Sequence, residues 1–383
     1  MGGIDWGLRN FHGYLTHRGT TYNAYLIVDE KTVLVDTVKH YLYDEMMERV
    51  KSVIDPAKID CLVSNHVEMD HSGSIKAIDK MIPGIEIITS VNGEKGLGRH
   101  YGKMNFRVVQ SSETINIGRR NLEFFHMPMV HWPDSMATYL PDEKILMPND
   151  AFGQHIASNE RFDDQLDMGI LREEAVKYYS NIVLPYGEQV KKAIALLSGL
   201  DIDIICPSHG IIWRSNIPEI LKVYMKLADN QTDNKAVIVY DTMWDSTGKL
   251  AYKLQDGLLE EGIKVEMKDL KNNHISDVVA CIAEAKLIII GSPTLNNGIM
   301  PSVGAFLTYI KGLKPKNRIG FSFGSYGWGG QSVRDIEETM KQMGWVVPVE
   351  GKKVSYVPDE NDLCEFKNTG KELAKILKNQ NAS

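Results

Sequence analysis

The segment Ser64-Asn65-His66-Val67-Glu68-Met69-Asp70-His71-Ser72-Gly73 packs four side chains able to bind a metal, His66, Glu68, Asp70 and His71, into six residues. In extended backbone His66, Glu68 and Asp70 project to one side. Two imidazoles and two carboxylates aimed into one volume cost several kcal/mol unless a cation pairs them. A solvated polar turn is the alternative for this segment alone. Three later segments change that balance, each ending an apolar run on a ligand-type residue: His131 in Val130-His131-Trp132-Pro133, Asp150 in Pro148-Asn149-Asp150, and His209 in Pro207-Ser208-His209-Gly210. Any one of them alone is more often a satisfied loop residue. Together the seven divide into two sets of two histidines and one carboxylate, with one carboxylate over to bridge, which describes a dinuclear metal site.

A second constellation lies further along. Tyr240-Asp241-Thr242-Met243-Trp244-Asp245-Ser246-Thr247-Gly248 leads into a helix from Lys249, and hydroxyls with backbone N–H groups at a helix N-terminus cradle a phosphate. Thr242, Ser246 and Thr247 supply the hydroxyls, while Met243 and Trp244 lie between them. Asp245 must point outward if a phosphate sits there. The absence of G-x-G-x-x-G argues for a monophosphate over a dinucleotide. Two more loops leave strands of the same region: one contains Pro293, Thr294, Leu295, Asn296, Asn297 and Gly298, the other Ser325, Tyr326, Gly327, Trp328 and Gly329. Glycines admit a flat ring close to the backbone, and Trp244, Tyr326 and Trp328 can stack on or flank it. Tight turns explain one such loop, but three at one sheet edge specify a cofactor site.

The elements that must position these residues fall into two regions. From Thr21 to about Ser208, β-branched runs (Tyr22 to Val28, Thr32 to Asp36, Ile59 to Val63, Ile85 to Thr89, Asn121 to Phe125, Met136 to Leu140, Ile202 to Cys206) mix with amphipathic helices such as Tyr41 to Ile54. Several of these runs are too close together for helical crossovers, so hairpins and partly antiparallel sheets are expected. After a helix around Pro218 to Leu227, the polar run Asp229 to Asn234 marks a boundary, giving domains over residues 1–230 and 235–383. Beyond it, strands Ala236 to Tyr240, Lys264 to Met267, Leu287 to Ile290, Ile319 to Phe323 and Val346 to Val349 alternate with helical patterns. That rhythm predicts a doubly wound parallel sheet.

Composition excludes other classes. At 383 residues, 43% hydrophobic and 24% charged, the chain has the balance of a soluble two-domain protein. No apolar run reaches bilayer length, and the net charge of -7 with interspersed signs disfavours nucleic acid. Four scattered cysteines, Cys61, Cys206, Cys281 and Cys364, form no C-x-x-C and are expected to be buried and inert. With an N-terminus that lacks a signal pattern, they suggest the cytoplasm.

The first ligand cluster resembles the H-x-H-x-D-H motif of the metallo-β-lactamase fold superfamily, with Glu68 where the second histidine would stand. Exchanging imidazole for carboxylate hardens the site and moves it from zinc toward iron. Two ferrous ions bring +4 and Glu68, Asp70 and Asp150 bring -3, so one hydroxide closes the balance. The second region is similar to flavodoxin, which implies FMN. An N-terminal metallo-β-lactamase-like αββα domain followed by a flavodoxin-like domain resembles the flavodiiron proteins, or A-type flavoproteins, over essentially the whole chain. Arg18 to Asn23, His131 to Met136 and Tyr240 to Trp244 are similar to that family's phrases.

The resemblance implies one iron on His66, Glu68 and His131, a second on Asp70, His71 and His209, and Asp150 bridging. It places His12, His126, His155 and Tyr179 nearby, to orient ligands or supply protons; His12 and Tyr179 take the catalytic role, with ordinary packing as the alternative for all four. It implies reduction of dioxygen or nitric oxide in a head-to-tail homodimer or dimer of dimers. It also implies an N-terminus roughly ten residues shorter than usual, with a shortened first strand. A helix near Lys371 to Lys378 is the last element, with no fused rubredoxin-like or flavin-reductase module, so a separate rubredoxin-type protein is expected to supply electrons. Two alternatives stand beside this reading: a binuclear metallohydrolase with a regulatory flavodoxin domain, and an electron carrier whose metal domain is structural.

Overall fold

A computed structural model describes residues 1–379. The chain divides into two compact units, Met1–Ala228 and the residues from Asp229 onward.

The first unit is built on two five-stranded sheets. One takes the strands Tyr25–Ile27, Val33–Val35, Cys61–Val63, Glu86–Thr89 and Phe106–Val108 in that order, the first pair antiparallel and the rest parallel. The other takes Thr114–Asn116, Asn121–His126, Met136–Leu140, Ile145–Met147 and Ile204–Ile205, an antiparallel meander closed by one parallel strand. Side-chain alternation explains the layering. Val33, Val35, Cys61, Val63 and Ile88 join Leu122, Phe124, Met136 and Met147 in the core between the sheets. The intervening Leu34, Leu62 and Ile87 face the helices through Met46, Val50, Ile75, Ile78 and Leu97. Both faces of the first sheet are therefore buried, and these runs read as continuously apolar. The first strand, Gly3–Asp5, pairs antiparallel with Thr20–Tyr22.

The second unit holds one parallel five-stranded sheet in the order Lys264–Asp269, Asp233–Tyr240, Ala285–Gly291, Ile319–Tyr326, Lys352–Ser355. This is the flavodoxin-like order 2-1-3-4-5, and its ligand crevice lies where the order reverses, at the carboxyl ends of the strands. Every residue of the central strand Ala285–Gly291 is buried.

Two expectations are corrected here. The fifth strand is Lys352–Ser355, and Val346 makes only an isolated bridge to Ile319. Pro348 has no N–H to give a ladder, whereas a lysine-rich run suits an exposed sheet edge. The last helix spans Glu360–Asn379, far more than its final turns. Reciprocal bonds from Asp359 N to Asp362 Oδ2 and from Asp362 N to Asp359 Oδ1 fix its start.

The cysteines differ as well. Cys61 and Cys206 are buried, but Cys281 is half-buried and Cys364 is exposed. Burial and then the Glu266 carboxylate push the Cys281 thiol up to about 11, which keeps it protonated at neutral pH. Among the described residues no helix is long and apolar enough to cross a membrane.

Candidate functional site

All seven ligand-type residues of the first unit come together at strand ends. His66 follows Cys61–Val63, Asp70 and His71 lie in the short helix Met69–Ser72, and Glu68 is its N-cap. His131 lies between the strands Asn121–His126 and Met136–Leu140, Asp150 follows Ile145–Met147, and His209 follows Ile204–Ile205.

They form two clusters. Ligand atoms of His66, Glu68, His131 and Asp150 lie within 4.8 Å of one another, and so do those of Asp70, His71 and His209. Asp150 spans the two. Its Oδ2 is 3.6 Å from His66 Nε2 and 3.3 Å from His131 Nε2, while its Oδ1 is 3.0 Å from His71 Nε2 and 3.3 Å from His209 Nε2. Glu68 Oε2 is 3.4 Å from both His66 and His131, and Asp70 Oδ2 is 3.3 Å from His71 and 3.2 Å from His209.

The donor set fits a pair of metal ions. His66 Nε2, both Asp70 carboxylate oxygens and Asp150 Oδ2 are buried without a hydrogen-bond partner, an arrangement costly for polar atoms that have nothing to bind. Burial opposes charge on His131 and His209. Even so, Asp150 and Glu68 lift His131 to about 9, and Asp150 and Asp70 lift His209 to about 10. The pocket therefore attracts positive charge strongly, as a cation site must. Its donors are imidazole nitrogens and carboxylate oxygens with no thiolate, a set suited to non-haem iron.

Partners behind the ligands set their tautomers. Asp134 Oδ2 accepts from His66 Nδ1 and from Val67 N, both at 2.8 Å, and the Thr21 carbonyl accepts from His209 Nδ1 at 2.9 Å. Each bond directs Nε2 inward. Thr37 holds the His71 carbonyl through its N–H and its hydroxyl, at 2.8 and 2.6 Å.

A network absent from the sequence reading fastens three ligand loops. Asp36 accepts from Asn65 N and Nδ2 and from Asn149 Nδ2, and Asn149 Nδ2 also donates to Ser208 Oγ. Asn65, Asn149 and Ser208 each directly precede a ligand, and that repeated placement is the signal by which the network could have been found. Gly210 is needed because its φ of +77° is left-handed and a Cβ there would lie 1.8 Å from Gln154 Oε1.

The four further candidates separate. The side chain of His12, mostly exposed, brings Nε2 to 3.3 Å from Glu68 Oε1. His155 is fully buried, its Nδ1 2.9 Å from Thr20 Oγ1 and its ring 4.9 Å from that of His209. Burial, then the neighbouring His209, holds its pKa well below the usual imidazole value. His126 donates from Nε2 to the Val109 carbonyl, a packing role. Tyr179 is buried, its ring 4.9 Å from that of Tyr224. The tyrosine at the metal carboxylates is Tyr178, whose hydroxyl donates to Asp150 Oδ1 at 3.0 Å. Burial first and Asp150 second keep that hydroxyl protonated.

In the second unit a cleft of about 710 Å³ opens at the carboxyl edge of the sheet. All the cofactor residues expected there line it except Thr242, Thr247, Gly298 and Gly329. Thr242 Oγ1 accepts from Gly248 N at 3.4 Å, and Thr247 Oγ1 meets Ser325 Oγ at 2.8 Å, so both stand behind the lining. Asp245 is exposed with φ 67°, and the helix Ser246–Glu260 starts directly after it. Tyr356 and Val357 also line the cleft. They follow the strand Lys352–Ser355, and placing the fifth strand at Val346 to Val349 concealed them. Trp244 is 91% and Trp328 80% exposed, large apolar surfaces ready to cover a flat ring.

Residues 20–210 match the family described as ODP family beta lactamase, and residues 238–368 match the family described as Flavodoxin. A nitric oxide reductase of Moorella thermoacetica is 44% identical over 98% of this chain and 96% of the relative. The solved rubredoxin oxygen:oxidoreductase of the anaerobe Desulfovibrio gigas matches with a TM-score of 0.97 at 43% identity, covering 100% of this chain and 97% of that one. The crystal structure of the flavodiiron protein from Giardia intestinalis matches with a TM-score of 0.96 at 32% identity, covering 98% and 94%. Likeness on this scale over nearly the full length of both partners shows that the chain belongs to the flavodiiron protein family.

Proposed function

We propose that this chain reduces dioxygen to water, nitric oxide to nitrous oxide, or both, at two irons held by the seven residues and supplied with electrons through FMN in the second unit. The observation that carries the reading is Asp150, one carboxylate with an oxygen turned to each ligand cluster. Two ferrous ions and reduced FMN store four electrons, enough for dioxygen to become two waters or for two nitric oxides to become nitrous oxide and water, which takes two.

The chain's own residues do the rest. His66, Glu68 and His131 hold one metal position and Asp70, His71 and His209 the other, while Asp134 and the Thr21 carbonyl keep imidazole orientation fixed. Tyr178 carries a proton on its hydroxyl beside Asp150, and His12 offers an imidazole on the solvent side of Glu68. The Trp132 ring, 5.0 Å from His66 and 6.0 Å from His131, shields that side from water. In the cleft, Ser246 at the helix N-terminus and Ser325 are suited to the FMN phosphate, and Trp244, Tyr326 and Trp328 to its ring. Unpaired cysteines among the described residues accord with a reducing cytoplasmic setting.

Fully reduced protein mixed anaerobically with either gas is expected to oxidise its flavin and iron in one rapid turnover, with a rubredoxin-type carrier sustaining steady turnover. Stopped-flow absorbance measures this. Metal and flavin that stay reduced in both gases, in protein with full iron content, would sink the reading and favour the hydrolase.

The working unit is a head-to-tail homodimer or a dimer of such dimers, in which the flavin of one copy approaches the irons of the other. Family likeness supports this, as do exposed apolar side chains at each site, Trp244 and Trp328 at the cleft and Met69 and Trp132 at the metal cluster. Sedimentation at assay concentration should find the dimer or larger; an active monomer would refute it.

A further inference from the structure

Beside the metal-ligand loops lies a small, partly open pocket whose accessible surface is apolar. It offers the centre of a water-sized sphere about 10 Å³, room for roughly one small molecule. Val190, Ala193 and Leu197 close one side from a single face of the helix Gly187–Leu197, and the half-buried Ile194 stands beside them. Val130 and Ala151 close the other, each the chain neighbour of a metal-site residue, His131 and Asp150. Tyr224 also lines the pocket, and its hydroxyl is already occupied as acceptor of the Phe152 N–H at 2.6 Å.

Water held in such a space lacks the two to four polar partners that would fix it, and apolar cavities stay dry and take up xenon or hydrocarbon. Dioxygen and nitric oxide are uncharged, almost apolar diatomics of matching size. We propose that this cavity is a docking site from which the gaseous substrate reaches the irons, entering between the helix face and the His131 and Asp150 loops. The inference rests on the reductase reading above. It adds a specific route, through residues outside the ligand set and the flavin cleft.

Xenon-pressurised crystals of the whole protein test the cavity directly. Xenon density is expected between Ala193 and Ala151 in the wild type and is expected to vanish in Ala193→Leu, whose larger side chain fills the space. Leu197→Ala, which enlarges it, should raise xenon occupancy and keeps the test usable if the bulkier variant fails to fold. In stopped-flow mixing with dioxygen and with nitric oxide separately, Ala193→Leu should lower the second-order rate constant at least fivefold for one gas or both, with iron and FMN content unchanged. No xenon in the wild type, or unchanged occupancy in Leu197→Ala, overturns the proposal. Unchanged rates in an Ala193→Leu protein that has lost its xenon site overturn it too, while leaving the reductase reading intact. A wild type inert to both gases would instead sink that reading, and this one with it.

Discussion

Asp150→Ala is expected to leave both units folded and to strip the protein of most of its iron, from about two per chain to fewer than one. Among the described residues, Asp150 alone has an oxygen facing each cluster, Oδ2 toward His66 and His131 and Oδ1 toward His71 and His209. Alanine removes a donor from both positions at once. It also removes one of three negative charges that offset two divalent ions, so mutual repulsion of the metals rises as their shared ligand disappears. The metal-free protein registers the same change. Burial works against the imidazolium of His131 and of His209, and Asp150 is the strongest partner holding each protonated; without it both pKa values should fall from about 9 and about 10. Iron analysis reads the first effect and NMR titration of the histidines the second, with FMN content as an internal control. A variant that retains both irons at wild-type affinity would remove Asp150 from the site.

The ligands were legible because their chemistry is local. Four of them sit in one six-residue stretch, and the other three each close an apolar run, so residue type and strand end announce the site together. What holds them was not legible. Asp36 is some thirty residues before Asn65 and over a hundred before Asn149, as the separations of 29 and 113 show; the first contact exists only once the strands Val33–Val35 and Cys61–Val63 pair, and the second only once the two sheets are stacked. Tyr178 and Tyr179 illustrate another limit. Adjacent positions on a helix differ by about 100° in direction, and here Tyr178 ends the α-helix Met168–Tyr178 while Tyr179 opens a π-helical turn. Helical phase therefore cannot be extrapolated from one tyrosine to the next, and only the fold decides which reaches Asp150.

The second unit shows the converse. Its central strands are apolar on both faces, as parallel strands under helices must be, and their rhythm revealed the doubly wound sheet. The edge strand obeys another rule, because solvent on one side favours lysines and polarity. Lys352–Ser355 consequently reads as a loop, whereas Val346 to Val349 reads as a strand that Pro348 prevents. That single exchange hid Tyr356 and Val357 from the expected cofactor site.

Replacing Ser246 and Thr247 together by alanine is expected to weaken FMN binding on the order of a hundredfold, with iron content unchanged. Ser246 opens the helix Ser246–Glu260 and lines the cleft. Thr247 is buried behind it, and its hydroxyl is 2.8 Å from that of Ser325, another lining residue. Removing both hydroxyls deletes one direct phosphate donor and the partner that orients a second. Hydrogen bonds to charged groups contribute roughly 1.5–3 kcal/mol each, so the pair amounts to about 3 kcal/mol or more, and each 1.4 kcal/mol is a tenfold change in affinity. The backbone N–H groups of the helix N-terminus remain, which is why the loss should be large without being complete. Every ligand-type residue of the metal clusters lies at or before His209, within the unit that ends at Ala228, so the irons should stay bound. The double variant separates the two cofactors: its irons, reduced chemically, should still react with dioxygen or nitric oxide, while turnover driven by a rubredoxin-type donor should fail until FMN is added in excess. Equilibrium titration with FMN, iron analysis and donor-driven gas consumption on the same preparation form the test. FMN affinity within threefold of wild type would take the phosphate away from this helix end, and parallel loss of iron would mean that the substitutions disturb far more than the cleft.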